Sequence, residues 1–184
     1  MATGPYVGTP GIEFLARFAG AYGNALKVSV CGSATAYEQE AVTTVNDSAV
    51  SVNDTTITVT SGTNINVGDI LAFSTTAATN DYDDGQEYEV TAVSTNDITI
   101  KKKGSTGGLT RVITNGSNVR RRWQYYDQVS GAPGTSPDVL AAGGSNDELH
   151  FVVIDTDGSI NGTKDEVLEA VSYTHLRAHE TVED

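Results

Sequence analysis

The sequence predicts an α+β chain: a small α/β core carrying an inserted antiparallel β-barrel or β-sandwich module. Three observations predict it. An apolar run at 149–155 is followed by a turn signal and a helical pattern. An early helix-then-strand pattern at 12–31 complements it. Between them, 42–126 is a series of period-two runs four to seven residues long, punctuated by turn residues, which is the mark of a small antiparallel module.

In chain order, residues 1–12 are a Gly/Pro-punctuated loop, and Phe14, Leu15, Phe18 and Tyr22 stand at helical spacing, predicting a helix over 12–23 that Gly23-Asn24 stops. Leu26 to Cys31 alternates as a strand. In the module, Ile57 and Val59 alternate with Thr, and Ile65, Val67, Ile70 and Leu71 bracket a hairpin corner at Gly68-Asp69. Tyr88, Val90 and Val93 form a further run, Ile98 and Ile100 another, with a two-residue turn at Asn96-Asp97. Val112, Val119 and Trp123 close the set. The echo between residues 46–52 (NDSAVSV) and 53–59 (NDTTITV) reads as shared turn chemistry, not as a repeat.

Residues 127–147 form a Gly/Pro/Ser-rich connector that leads back into the core. Leu149, Phe151, Val152, Val153 and Ile154 make a β-rich apolar run suited to the middle of a covered sheet. Asp157-Gly158 predicts a tight turn that returns Ser159 and Ile160 as a short strand. Thr163 and Glu166 have capping-box spacing, and Val167, Leu168 and Val171 follow at helical intervals, predicting a helix over 163–171. The expected organisation is therefore 1–41 and 148–171 as the two parts of the core, 42–126 as the inserted module and 127–147 as the connector.

Composition narrows the function classes. A formal charge of -13 and a pI near 4.4 argue against nucleic acid and anionic membrane as main partners. A single cysteine, Cys31, excludes an internal disulfide framework and suits a reducing compartment, where it reads as a buried strand thiol. No signal-peptide pattern and no apolar run near 18 residues stands out, so a soluble chain is expected.

Several clusters invite chemistry. The string Asp155-Thr-Asp157-Gly-Ser-Ile160 resembles the first motif of haloacid-dehalogenase-type phosphohydrolases, in which one carboxylate is the nucleophile and a second the general acid beside Mg²⁺. Such a site needs further groups from later strands, and few residues follow, so an Asp-Gly turn with its acids in solvent is the preferred reading and no enzyme is expected. Asp81, Asp83 and Asp84 before Gly85 have the oxygen density of a Ca²⁺ loop but read as a solvated hairpin tip. His150 reads as a strand residue, and no residue is assigned to catalysis, cofactor or metal. Seven of the eleven Lys and Arg fall within 101–122, with Trp123, Tyr125 and Tyr126 after them. Stacking and phosphate contacts to a single strand are conceivable there. In so acidic a chain, an acidic patch on a neighbouring copy or domain is the better partner, which makes Lys101, Lys102, Lys103, Arg120, Arg121 and Arg122 candidate subunit contacts. A β-rich adhesive or carbohydrate-binding module is the alternative, with Trp123 and Tyr125 as sugar-stacking platforms.

Three ordered segments then carry a resemblance. Ala16 to Cys31 (ARFAGAYGNALKVSVC), Ala132 to Ser136 (APGTS) and Asp147 to Thr163 (DELHFVVIDTDGSINGT) are similar to the central portion of the tail sheath protein of contractile-tailed bacteriophages, over roughly residues 10–172. The resemblance implies a structural subunit found in the virion and assembled in the host cytoplasm. Its partners would be other sheath copies in stacked hexameric rings, the tail tube and the baseplate, with no cofactor. Sheath subunits are several hundred residues long, so a fragment is expected. Val171 to Thr181 (VSYTHLRAHET) resembles a sequencing-adapter read-through, which makes 172–184 a non-native tail in which His175 and His179 carry no metal chemistry despite their i, i+4 spacing.

Overall fold

The computed structural model describes residues 20–82 and 85–175. It is an α+β fold with two sheets, one of three strands and one of six. The described residues divide into two compact units, one formed by residues up to Val30 with Phe151–Val171, the other by Cys31–His150 with the residues from Ser172.

The six-stranded sheet is built from β2 (Glu38–Thr44), β3 (Thr56–Thr58), β4 (Ile70–Ala77), β5 (Tyr88–Ser94), β6 (Asp97–Lys102) and β7 (Ser117–Arg122). Their order is β2-β7-β4-β5-β6-β3, with every neighbouring pair antiparallel. The two outer strands then meet. Val45 and Val59 form a bridge, the Asn46 N–H donates to Thr58 O and the Thr60 N–H to Thr44 O, both at 2.9 Å. The sheet thus closes into a barrel, which removes the unpaired strand edges an open sheet would expose. Closure needs curvature, and the register shifts between Gln39 and Thr43, between Phe73 and Ala77, and between Val90 and Ala92 supply it. The first strand begins at Glu38, ahead of the expected module boundary at residue 42.

Alternation fills the interior. Ile57, Val59, Leu71, Phe73, Tyr88, Val90, Ile98, Ile100 and Val119 are all buried in one cluster, joined by Val50, Leu109 and Ile113 from the loops. Each large apolar side chain so removed from water contributes roughly 1.5–3 kcal/mol. Phe73 and Tyr88 pack with ring centroids 5.7 Å apart. The Tyr88 hydroxyl keeps its polar end satisfied at Thr110, 3.1 Å from that residue's N–H.

Some turns differ from the sequence expectation. The tight turn joining β5 to β6 is Thr95-Asn96, because Ser94 pairs with Asp97, and Thr95 takes the left-handed conformation at φ 57°. The corner expected at Gly68-Asp69 falls one residue earlier: Val67-Gly68 forms the turn, the Asp69 N–H donating to Asn66 O at 3.1 Å with Gly68 at φ 94°, and Ile65–Val67 is not a strand. There the Asp69 carboxylate accepts the Asn66 N–H at 2.8 Å, so a side chain replaces the ladder. Val112 is likewise outside any strand and exposed.

The three-stranded sheet has β8 (Glu148–Asp155) between β1 (Leu26–Cys31) and β9 (Glu166–His175). The two expected strands are therefore neighbours, and the covered position falls to the apolar run, with Leu149, Val152 and Ile154 buried. The helix expected over 163–171 is instead the strand β9. A capping box needs right-handed residues after Thr163, but Asp165 stands at φ 61° and donates its N–H to Asp155 O at 2.7 Å, steering the chain back beside β8. Val167, Val171 and Tyr173 also fit a period of two, and the ladder offered by β8 outweighs local helix preference. Ser159 and Ile160 lie in the turn, not in a strand. Of the helix expected over 12–23, residues 12–19 lie outside the described residues, and Ala21–Asn24 forms the single turn α1. A second short helix, α2 (Ala34–Tyr37), precedes β2 with Ser33 as its N-cap. The connector holds α3 (Pro137–Ala141), entered by Ser136, whose hydroxyl and N–H both bond the buried Asp147 carboxylate at 2.6 and 2.8 Å.

Candidate functional site

The basic residues singled out by the sequence lie in or beside β6 and β7, and strand geometry separates the three arginines. Arg121 points inward with Val119 and is buried, whereas Arg120 and Arg122 take the opposite parity and are half-buried. Most of these cations find their partners within the chain. Lys101 sits across from Glu89 in the ladder, 3.0 Å from its carboxylate. Arg122, across from Glu38, donates its Nε–H to that carboxylate at 2.8 Å and reaches Glu87 at 3.1 Å. Lys103 lies 3.3 Å from Glu87, 3.0 Å from Asp127 and 3.2 Å from the Tyr126 hydroxyl.

The Tyr126 ring is central to this cluster. Lys103 Nζ lies 4.4 Å and the Arg122 guanidinium 4.8 Å from its centroid. Its hydroxyl donates to Glu87 at 2.6 Å, and its carbonyl accepts from the Tyr37 hydroxyl at 3.1 Å. Electrostatics follow from this geometry. Burial pushes the Glu38 carboxyl up, but hydrogen bonding to Arg122 and its charge outweigh that and hold it below the ordinary value. Burial lowers Lys103, yet Asp127, Tyr126 and Glu87 raise it overall, and Lys103 in turn holds Asp127 low. The pairs are partly solvated, so each is worth only about 1 kcal/mol.

Arg120 stacks over the Tyr82 ring at 4.5 Å, while the Tyr82 hydroxyl donates to Glu40 O. Burial, then the Glu40 charge, pushes that phenol up to about 12. Arg111 donates to Phe73 O at 2.8 Å and Ser74 O at 3.2 Å. Lys102 is half-buried opposite Tyr88. The patch is thus largely an internal brace, a role invisible in sequence because Glu38 and Glu87 lie far from Arg122 along the chain.

Asp155, at the end of β8, is buried and organises the following loop. Its Oδ1 accepts the Gly158 N–H at 3.0 Å, and its Oδ2 those of Ile160 and Asn161 at 2.8 and 3.1 Å. Burial raises this carboxyl, but those backbone donors outweigh it and hold it below the ordinary carboxylate value. Asp157 is exposed and accepts the Ser159 N–H at 2.9 Å. The two acids serve the loop backbone separately; they do not converge on a shared pocket. The expected tight Asp-Gly hairpin is instead a bend at Asp157-Gly158 within a longer loop that reaches β9 only at Glu166, and the acid expected in solvent at its head is buried.

His150 is buried, with Nδ1 accepting the Tyr173 N–H at 2.9 Å and Nε2 positioned 3.0 Å from Gly131 O, which makes it the donor to that carbonyl. Cys31 is buried, its thiol pushed up by that burial. Trp123 is 7% exposed and packs edge-on against Tyr125 at 5.6 Å, whereas a sugar-stacking platform needs an open ring face. Asp81 bonds Thr75 at 2.5 Å; Asp83, Asp84 and His179 lie outside the described residues, as does the His175 side chain. Among the described residues no three His, Cys, Asp or Glu side chains group as metal ligands, and no helix is long and apolar enough to cross a membrane.

Compared with protein families, curated proteins and solved structures, the chain gives no match.

Proposed function

We propose that the chain is a central part of a contractile-tail sheath subunit, a structural protein that polymerises around a phage tail tube and contracts to drive genome delivery. The observation that carries this reading is the adjacency of β1 and β8 in one sheet. These strands bear most of the first and third sheath-like segments, and everything between them in sequence is an excursion dominated by a closed barrel.

Mechanical duty favours that design. A closed barrel offers no loose strand to peel, and the brace of Glu38, Glu87, Lys103, Arg122 and Tyr126 ties β2 and β7 to the residues flanking β5 and β6 and to the segment just ahead of the connector. The second sheath-like segment, Ala132–Ser136, is fixed as well. The Gly134 N–H donates to Glu148 at 2.9 Å, and Ser136 is held by Asp147. Heterologous contacts between such rigid blocks generate rings or helices.

Immunogold microscopy tests the proposal. An antibody raised against the barrel residues 38–122 is applied to phage particles whose genome encodes this sequence. Regular labelling along the tail shaft is expected. Labelling confined to the capsid, or no labelling of particles carrying the gene, refutes the reading.

A further inference from the structure

Two Asn-Gly pairs stand in the chain, Asn115-Gly116 and Asn161-Gly162. Asparagine before glycine is prone to attack by its own backbone, because glycine has no Cβ to keep its amide nitrogen from the carboxamide carbon. The fold holds the two pairs differently. Asn161 is tied on three sides: its N–H donates to Asp155 Oδ2 at 3.1 Å, its Oδ1 accepts the Thr163 N–H at 3.1 Å, and the Gly162 N–H donates to Gly158 O at 2.9 Å. The Asn115 side chain is exposed, and among the described residues no partner holds its carboxamide.

At Asn115 the restraint falls on the glycine. The Gly116 N–H donates to Val45 O at 2.8 Å, and the Gly116 carbonyl accepts the Ala78 N–H at 3.0 Å. Val45 in turn donates its N–H to Ser117 O at 2.9 Å and bridges Val59, where the barrel closes. The nitrogen placed to attack Asn115 is therefore a donor of the closing seam. It reaches the carboxamide only when its bond to Val45 opens, and a local opening at the rim costs less than unfolding the barrel.

We propose that Asn115 is a site of spontaneous deamidation whose rate is set by opening of the Val45 seam. With the seam open, the Gly116 nitrogen gives its proton to water or hydroxide and bonds to the Asn115 side-chain carbonyl carbon. That carbon expels its amide nitrogen as ammonia, closing a succinimide. Water then opens the ring at either carbonyl, leaving aspartate or isoaspartate. One water is consumed and one ammonia released, with no change of oxidation state. Either product adds a negative charge to a chain already at -13. Isoaspartate also brings the Cβ of residue 115 into the main chain, inside the turn that the Ser117 N–H closes on Thr114 O at 3.0 Å. A main chain longer by one atom does not hold that turn and the Val45 bond together, so the event loosens the seam irreversibly.

The full-length protein is incubated in mildly alkaline buffer, folded and in concentrated urea, and sampled over weeks by peptide mass spectrometry that separates aspartyl from isoaspartyl products. In urea the two asparagines are expected to convert at similar rates. In the folded protein Asn115 is expected to convert at least about tenfold faster than Asn161. It is also expected to be slower than in urea by the factor that protects the Gly116 amide from hydrogen exchange, since both processes need the same N–H freed. Val45→Ala shortens a side chain that is 1% exposed at the seam and is expected to speed conversion at Asn115 several-fold with Asn161 unchanged. If that variant fails to fold, Thr60→Ala removes only the exposed 2.9 Å hydroxyl contact to Thr44 and is expected to raise the rate about twofold. An Asn115 that stays intact while the urea sample converts overturns the inference, as does Asn161 converting as fast as Asn115 in the folded protein. Conversion of the folded protein at the urea rate, or a rate unmoved by whichever seam variant folds, overturns the control by Val45.

Discussion

Gly108→Ala is expected to loosen the barrel severely, while the same change one residue earlier does almost nothing. A Cβ at Gly108 falls well under 3.0 Å from the carbonyl oxygens of both Asn53 and Asp54, and 2.7 Å from the Asn53 carbonyl carbon. These are backbone atoms with no rotamer to yield. The segments are also stitched together there, Asn53 N–H to Leu109 O at 2.8 Å and Leu109 N–H to Asp54 O at 2.9 Å. Making room for one methyl breaks or stretches both bonds, about 0.5–1.5 kcal/mol each. It also displaces Leu109, which is 1% exposed in the core, adding an overpacking cost of about 1–3 kcal/mol. The expected loss is about 2–6 kcal/mol, or roughly 1–3 M in urea midpoint for a denaturant slope near 2 kcal/mol/M. Gly107 has nothing within 4 Å of an added Cβ, so Gly107→Ala is expected to stay within about 0.5 kcal/mol of the parent. Urea unfolding followed by the fluorescence of Trp123, the one tryptophan in the chain, measures both. Equal midpoints for the two variants would refute the close-approach argument.

Three further outcomes follow from the polar contacts. The Asp155 carboxyl is held below its ordinary value, so its contribution is complete above an unfolded pKa of about 3.9 and is lost as pH falls through the depressed folded value; melting from pH 5 to pH 2 is expected to cost the parent more than Asp155→Asn, and parallel curves would contradict this. Glu87→Gln leaves Lys103, Arg122 and the Tyr126 hydroxyl short of a charged acceptor and is expected to cost about 1–2 kcal/mol in low salt, shrinking in 1 M salt; a loss that salt does not change would show that packing, not charge, is at work. His150→Phe removes the acceptor for the Tyr173 N–H and the donor to Gly131 O, at about 1–3 kcal/mol, and the Tyr173 amide is expected to exchange faster by hydrogen exchange; unchanged protection at Tyr173 would mean another group satisfies it.

The sequence was most informative where one residue's neighbours in the chain settle its fate. Period-two runs located Ile98 and Ile100, Tyr88 and Val90, and the apolar strand ending at Asp155, because a buried face imposes its spacing on the residues themselves. It was least informative at 163–171, where Thr163 and Glu166 announce a helix that the structure replaces with β9. Short apolar spacings satisfy both periods, and only the neighbouring strand supplies the hydrogen bonds that decide between them. The candidate contact residues show the same division. Alternation along β7 correctly separates Arg121 from Arg120 and Arg122, but the sequence could not show that Glu38 and Glu87 already occupy Arg122.

Sequence alone therefore determined the β-rich class, the alternation that fills the barrel and the strand that lies in the middle of the smaller sheet, since these depend on local pattern and burial. Tertiary structure decided the closure at Val45 and Val59, the pairing of the basic residues within the chain, the Asp155-centred loop and the bond from Gly116 to Val45. Each of those joins groups distant in the chain, and such meetings are fixed only when the backbone folds and every buried donor must find an acceptor.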